Sequence, residues 1–138
     1  MVSSLASKKI QADKAKTKSI LLVEDNHAIS TLLKYVLSSH GYSIKIAETI
    51  QDAKKIIDLE LKIIDLILLD LNLPGGSGFD ILNALPEEND VPIIIISALS
   101  QSHNIVRGLE SGASDYITKP FDPKELIVRI EKLIKSEK

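Results

Sequence analysis

Residues 64–78 read IDLILLDLNLPGGSG. From Ile64 to Leu69 the chain is apolar apart from Asp65, and the run stops at Asp70. It is too short for a core helix, and the Pro-Gly-Gly-Ser-Gly stretch behind it forbids an extension. A short run that is apolar on successive residues fits a strand covered on both faces, the usual condition in a parallel sheet. Asp70 then stands at the carboxyl end of that strand. Leu73 to Gly78 reads as a loop, and Ser77 can cap a short helix through Phe79, Ile81, Leu82 and Leu85.

The same rhythm recurs on either side. Ile20 to Val23 is a second short apolar run, ended by Glu24-Asp25-Asn26. Ile29, Leu32, Leu33, Val36 and Leu37 follow at helical spacing, and His40-Gly41 closes that helix. Tyr42 to Ala47 alternates as a strand does, and Thr49 can cap a helix carrying Ala53, Ile56 and Ile57. Beyond a polar connection at residues 86–90, Val91 to Ile96 is another buried strand that ends at Ser97. Ser102 to Glu110 reads as a helix closed by Gly112, and Ser114 to Thr118 as a fifth strand leading to Lys119-Pro120. Asp122, Pro123 and Glu125 open the last helix as cap, first position and capping box, with Leu126, Ile127, Ile130, Leu133 and Ile134 as its apolar face. A strand and a helix thus alternate five times, which predicts an α/β fold: a five-stranded parallel sheet with five helices on both faces.

The totals agree with one such domain. The chain has 138 residues, 44% hydrophobic and 26% charged, enough to bury a core without staples. Cysteine is absent, which excludes disulfides, thiol chemistry and zinc–thiolate sites. No apolar run approaches the about 20 residues that span a bilayer. Residues 1–18 hold five lysines against Asp13, a charge of +4, which leaves −6 on the rest of a chain whose total is −2. An acidic globule of this kind is a poor nucleic-acid binder by itself, and no direct binding is expected. The expected division is a basic, solvated tail over 1–18 and a folded domain over 19–138.

In open α/β sheets ligands gather outside the carboxyl ends of the strands. Those ends carry Glu24 and Asp25, Asp70, Ser97 and Lys119. Clustered carboxylates repel unless a cation lies among them. Oxygen donors without His or Cys favour magnesium or calcium over zinc. A carboxylate can act as a nucleophile and form an aspartyl phosphate. Phosphoryl transfer then asks mainly for positioning and charge neutralisation, which Lys119, the Ser97 hydroxyl and a metal ion can supply.

Four segments in this order resemble one family: Leu21-Leu22-Val23-Glu24-Asp25-Asn26, Leu69-Asp70-Leu71-Asn72-Leu73-Pro74, Ser97-Ala98 and Lys119-Pro120-Phe121. Together they are similar to the receiver domain of two-component response regulators, over about residues 19–136. The resemblance implies a flavodoxin-like receiver fold with strand order 2-1-3-4-5. It implies Asp70 as phosphoacceptor and Mg2+ as cofactor, held by Asp25 and Asp70 directly, by Glu24 through water and by the Asn72 backbone carbonyl. Ser97 corresponds to the switching hydroxyl, Lys119 to the phosphate-pairing lysine and Tyr116 to the aromatic that changes rotamer. The family's Lys-Pro bond is usually cis.

The resemblance further implies a cytoplasmic signalling domain with only weak self-phosphorylation and self-dephosphorylation, not an enzyme. Its phosphodonor would be a histidine kinase or histidine phosphotransfer protein. The face of the fourth helix, fifth strand and fifth helix would meet a downstream effector, an output domain or a second copy. Two other readings stand beside this one: a receiver-like docking module that is not phosphorylated, and a magnesium-dependent aspartyl-phosphate phosphatase. The phosphatases normally carry a second acid two residues after the nucleophile, where this chain has Asn72. Gly76, in place of a larger residue, is expected to loosen the loop after Asp70. Gly108 is expected to soften the fourth helix, because Gly costs about 1 kcal/mol relative to Ala inside a helix. Leu99, two residues past Ser97, offers no hydrogen bond to a hydrolytic water, so slow loss of phosphate is expected.

Overall fold

The computed structural model describes residues 17–135, so most of the basic tail expected over 1–18 lies outside the described residues. The strands are β1 (Ser19–Val23), β2 (Ser43–Ala47), β3 (Leu66–Leu69), β4 (Ile93–Ser97) and β5 (Asp115–Thr118). They form one parallel sheet in the order β2-β1-β3-β4-β5. The helices are α1 (His27–Ser39), α2 (Ile50–Glu60), α3 (Gly78–Ala84), α4 (Ser102–Glu110) and α5 (Pro123–Lys135), with a 3-10 turn at Leu61–Ile63 after α2. Fold class and strand order are those expected from the sequence.

Alternate strand residues feed two cores. Ile20, Leu22, Leu66, Leu68, Ile94, Ile96 and Ile117 meet α1 and α5 through Leu33, Leu37, Leu126, Ile127, Ile130 and Ile134. Leu21, Val23, Ile67, Leu69, Ile93, Ile95 and Tyr116 meet α2 and α3 through Ile50, Ala53, Ile57, Phe79, Ile81 and Leu82. The central strands are buried on both faces, which is why they read as unbroken apolar runs.

Several local expectations need correction. β3 begins at Leu66 rather than Ile64, because the Asp65 carboxylate accepts the Ser19 N–H at 2.7 Å and Ile64 closes the 3-10 turn. Sheet bonding begins at Lys18, whose carbonyl accepts the Ser43 N–H at 2.9 Å. The stretch after Asp70 is not plain loop: Asn72–Leu73 pairs antiparallel with Gly76–Ser77, and Gly75 turns the corner at φ +87°. The capping box falls on α3, where Ser77 Oγ accepts the Phe79 N–H and Asp80 returns a bond to the Ser77 N–H. At α5, Asp122 Oδ1 accepts the Lys124 N–H, while the Glu125 carboxylate turns to Arg129 at 2.8 Å.

Candidate functional site

The register sets the site. Val23 and Leu69 pair across β1 and β3, so Glu24 and Asp70 leave the sheet side by side, and the Asp70 N–H bonds the Val23 carbonyl at 3.0 Å. Ser97 pairs with Thr118, so Lys119 follows next to it, and its N–H bonds the Ser97 carbonyl at 2.8 Å. The Lys119–Pro120 peptide bond is cis.

These strand ends converge on an ammonium held by two acids. Lys119 Nζ donates to Glu24 Oε1 at 2.7 Å and to Asp70 Oδ2 at 3.0 Å. Glu24 is 2% exposed and Asp70 5% exposed. Each acid's second oxygen takes a backbone N–H: Asn26 gives to Glu24 Oε2 at 3.2 Å, and Asn72 gives to Asp70 Oδ1 at 3.1 Å. Asp25 is exposed, and oxygens of Glu24, Asp25 and Asp70 lie within 4.8 Å of one another. Burial pushes the Glu24 carboxyl above its ordinary value, Asp70 beside it adds to the rise, and the Lys119 bond offsets part of it. Burial works to lower the Lys119 value, but the bonds to Glu24 and Asp70 outweigh it and hold the ammonium charged. Three carboxylates with an open side toward solvent at Asp25 form an oxygen-only donor set, which fits a hard divalent cation.

The hydroxyl and the aromatic lie one step from this cluster. Ser97 is fully buried, and its Oγ accepts the Leu99 N–H at 3.1 Å. Tyr116 is buried beneath α4, more deeply than a half-buried strand aromatic, and its hydroxyl donates to the Leu99 carbonyl at 2.6 Å. Leu99 is therefore held from both sides, its N–H by Ser97 and its C=O by Tyr116. Sequence reasoning valued Leu99 only for its side chain and missed this backbone bridge, which no residue type announces. It also missed Asn26 as the cap of α1, where Oδ1 accepts the Ile29 N–H at 3.0 Å. Gly78 is a further unforeseen part. A Cβ there would stand 2.4 Å from the Asp70 carbonyl oxygen, so the start of α3 is pressed against the backbone of Asp70 and Leu71. His27 is an exposed residue whose Nε2 lies 3.0 Å from Glu48, outside the cluster.

On the outer side of β5, Arg129 of α5 grips both Asp115 oxygens at 2.8 Å, which ties the last strand to the last helix. Among the described residues no helix is long and apolar enough to cross a membrane.

Known proteins resemble the chain over most of its length. Residues 20–131 match the response regulator receiver domain family. The phosphate regulon transcriptional regulatory protein PhoB of Escherichia coli is 42% identical over 119 residues, covering 84% of this chain and 51% of that protein. The transcriptional regulatory protein CpxR of Escherichia coli is 38% identical over 116 residues, covering 84% and 49%. The chain thus spans about half the length of the curated relatives it matches. Among solved structures, the receiver domain of the Francisella response regulator 1452 superposes with a TM-score of 0.82 at 32% identity, covering 88% of this chain and 100% of that one.

Proposed function

The chain belongs to the response regulator receiver domain family, and from that premise we propose that Asp70 is its phosphoacceptor. The observation that carries this reading is the Lys119 ammonium set between Glu24 and Asp70, with Asp25 beside them at the open side. An Asp70 oxygen attacks the phosphorus of a phosphohistidine, the P–N bond breaks, and the imidazole leaves with the electron pair. Asp25, Asp70 and the Asn72 carbonyl would hold Mg2+, with Glu24 behind a water. The ion supplies charge neutralisation for the phosphoryl oxygens and the three acids.

This chain's own groups do the remaining work. The Asn72 N–H fixes one Asp70 oxygen and so orients the carboxylate. Lys119 follows the incoming phosphoryl oxygens while its bond to Glu24 keeps it at the sheet edge. Ser97 Oγ at present accepts from Leu99 and still has a proton to give. When it turns to donate to the phosphoryl group, Leu99 loses its N–H partner, and the segment whose carbonyl anchors Tyr116 is released. The chemical event at Asp70 is thereby transmitted to α4, β5 and α5, the face proposed to meet an effector, an output domain or a second copy. Phosphorylation shifts that face only by as much as it favours one arrangement over the other. The donor is a histidine kinase or histidine phosphotransfer protein in the cytoplasm, and the domain is a signalling module rather than an enzyme. The folded unit proposed is 19–138, preceded by a basic tail.

The test is incubation with Mg2+ and acetyl phosphate, followed by intact-mass spectrometry under conditions that preserve acyl phosphates. A phosphoryl adduct is expected on the wild type and not on Asp70→Ala. No adduct on the wild type, or an undiminished one on Asp70→Ala, would overturn the proposal, and the first of these results would favour an unphosphorylated docking module.

A further inference from the structure

Gly108 is the only residue of α4 that is buried, and it has no side chain. A methyl built on its Cα would lie 2.7 Å from Ile95 Cδ1, and 3.1 and 3.3 Å from Cδ2 and Cε2 of Tyr116. The helix therefore rests on the Tyr116 ring with bare backbone. Ile105 of the same helix packs, partly buried, against the same core. No side chain caps its N-terminus, and the neighbouring Arg107 places its guanidinium 3.8 Å from the centroid of the Phe79 ring on α3. The far end of the same tyrosine ring is the hydroxyl bound to Leu99, and Leu99 is bound to Ser97. One chain of contacts thus runs from the Ser97 hydroxyl through Leu99 and Tyr116 to Gly108.

We infer that Gly108 is a positioning residue for Tyr116: the missing Cβ lets the ring lie under α4 with its hydroxyl on Leu99, and a methyl at 108 displaces the ring from that seat. Which neighbour yields follows from where each stands. Ile95 is fully buried on β4, flanked by β3 and β5 and packed into the core beneath α3. Tyr116 belongs to the edge strand β5 and has some exposure, so its ring can rotate outward to solvent. Helix propensity pulls the other way, since alanine is the better helix former. Were the space open, Gly108→Ala would strengthen α4 and leave Tyr116 alone. The two accounts predict opposite results.

The regulatory consequence rests on the receiver reading above, whereas the steric one does not. If Tyr116 is the mobile aromatic of the switch, Gly108→Ala holds it outward whatever the state of Asp70.

The test is nitration by tetranitromethane of the full, unphosphorylated chain, read at each tyrosine by peptide mass spectrometry. Tyr35, at 76% exposure, serves as the internal standard. Gly108→Ala is expected to raise the Tyr116 rate relative to Tyr35 about tenfold, the equivalent of about 1.4 kcal/mol against the inward ring. An unchanged ratio would overturn the inference, because α4 would then have moved instead of the ring. A second measurement guards against general loosening: denaturant midpoints of Gly108→Ala in the wild-type and Tyr116→Ala backgrounds. The substitution is expected to lower the midpoint in the first and not in the second. An equal loss in both would place the clash on Ile95 and overturn the inference. Failure of the receiver reading shows separately, as absence of the acetyl phosphate adduct on the wild type.

Discussion

Lys119→Met isolates the electrostatic core of the site. The substitution keeps most of the side chain's length and removes its charge. It strips two charge-assisted bonds, at 2.7 and 3.0 Å, and leaves Glu24 and Asp70 facing each other at 2% and 5% exposure. Removing one partner of a buried ion pair costs about 3–5 kcal/mol, chiefly because the remaining charge stays desolvated. The lysine side chain is 18% exposed, so water can reach the gap and the lower end applies, ~3 kcal/mol. At about 4 °C per kcal/mol for a domain of this size, the melting temperature should fall by ~12 °C in EDTA at pH 7.

The loss should depend on pH with a definite sign. Burial already lifts Glu24 above its ordinary 4.5, and removing the ammonium lifts it further. A carboxyl whose folded value is raised favours the protonated form in the folded state. Its penalty is absent below the unfolded value and grows as pH rises through the folded one. Lowering the pH from 7 toward 5 should therefore restore part of the lost stability in Lys119→Met, more than any gain in the wild type. Mg2+ should do the same at pH 7, because the acids have no other counterion in the variant. Calorimetric melts with and without Mg2+ at both pH values decide the matter. A variant melting within ~3 °C of wild type in EDTA at pH 7, or a penalty equal at both pH values, would refute the reasoning.

Other expectations follow from single contacts. Gly78→Ala must displace either α3 or the backbone of Asp70 and should cost about 1–3 kcal/mol in urea unfolding, with slower phosphoryl uptake; a change within experimental error would show that α3 is free to slide. Asn26→Ala removes the α1 cap and should cost about 1 kcal/mol in the same assay while leaving the Asn26 N–H on Glu24, so phosphoryl uptake should hold. Leu99→Glu should speed loss of the adduct by roughly tenfold, the worth of one hydrogen bond to the attacking water, and an unchanged decay would remove that role. Above pH 10.5 the wild type should lose the stability that Lys119 contributes, because that group's folded value is raised, whereas Lys119→Met should show no such component in melts across the alkaline range.

The fold was legible because each strand of the sheet's centre is covered on both faces and so reads as an apolar run with a polar stop. The stops were legible as a site for a further reason. Parallel strands in register bring their carboxyl ends to one edge, and Val23 opposite Leu69 then forces Glu24 and Asp70 together. What stayed hidden depends on distances between elements far apart in sequence. Asp65 was counted as a strand residue because nothing local reveals that its carboxylate reaches back to the Ser19 N–H. Glu125 was counted as part of a capping box, but Arg129, one turn on, offers it a two-pronged partner that outweighs a single backbone N–H. Asn26 was read only as the end of the acidic stop, whereas the structure uses both its backbone, on Glu24, and its side chain, as the cap of α1.

The glycines show the limit most clearly. Taken locally, Gly108 is a weak point in a helix, and Gly78 is only the last of a loop's small residues. In the fold each marks a place where a helix comes so close to the strand-end apparatus that no Cβ fits. Gly78 sets α3 against the Asp70 carbonyl, and Gly108 sets α4 against Tyr116. Glycine's cost in helix stability thus falls where each helix makes its closest approach to the sheet. A residue that looks permissive in sequence is here a constraint, and both substitutions to alanine, favourable by helix propensity alone, should therefore disturb the site rather than firm it.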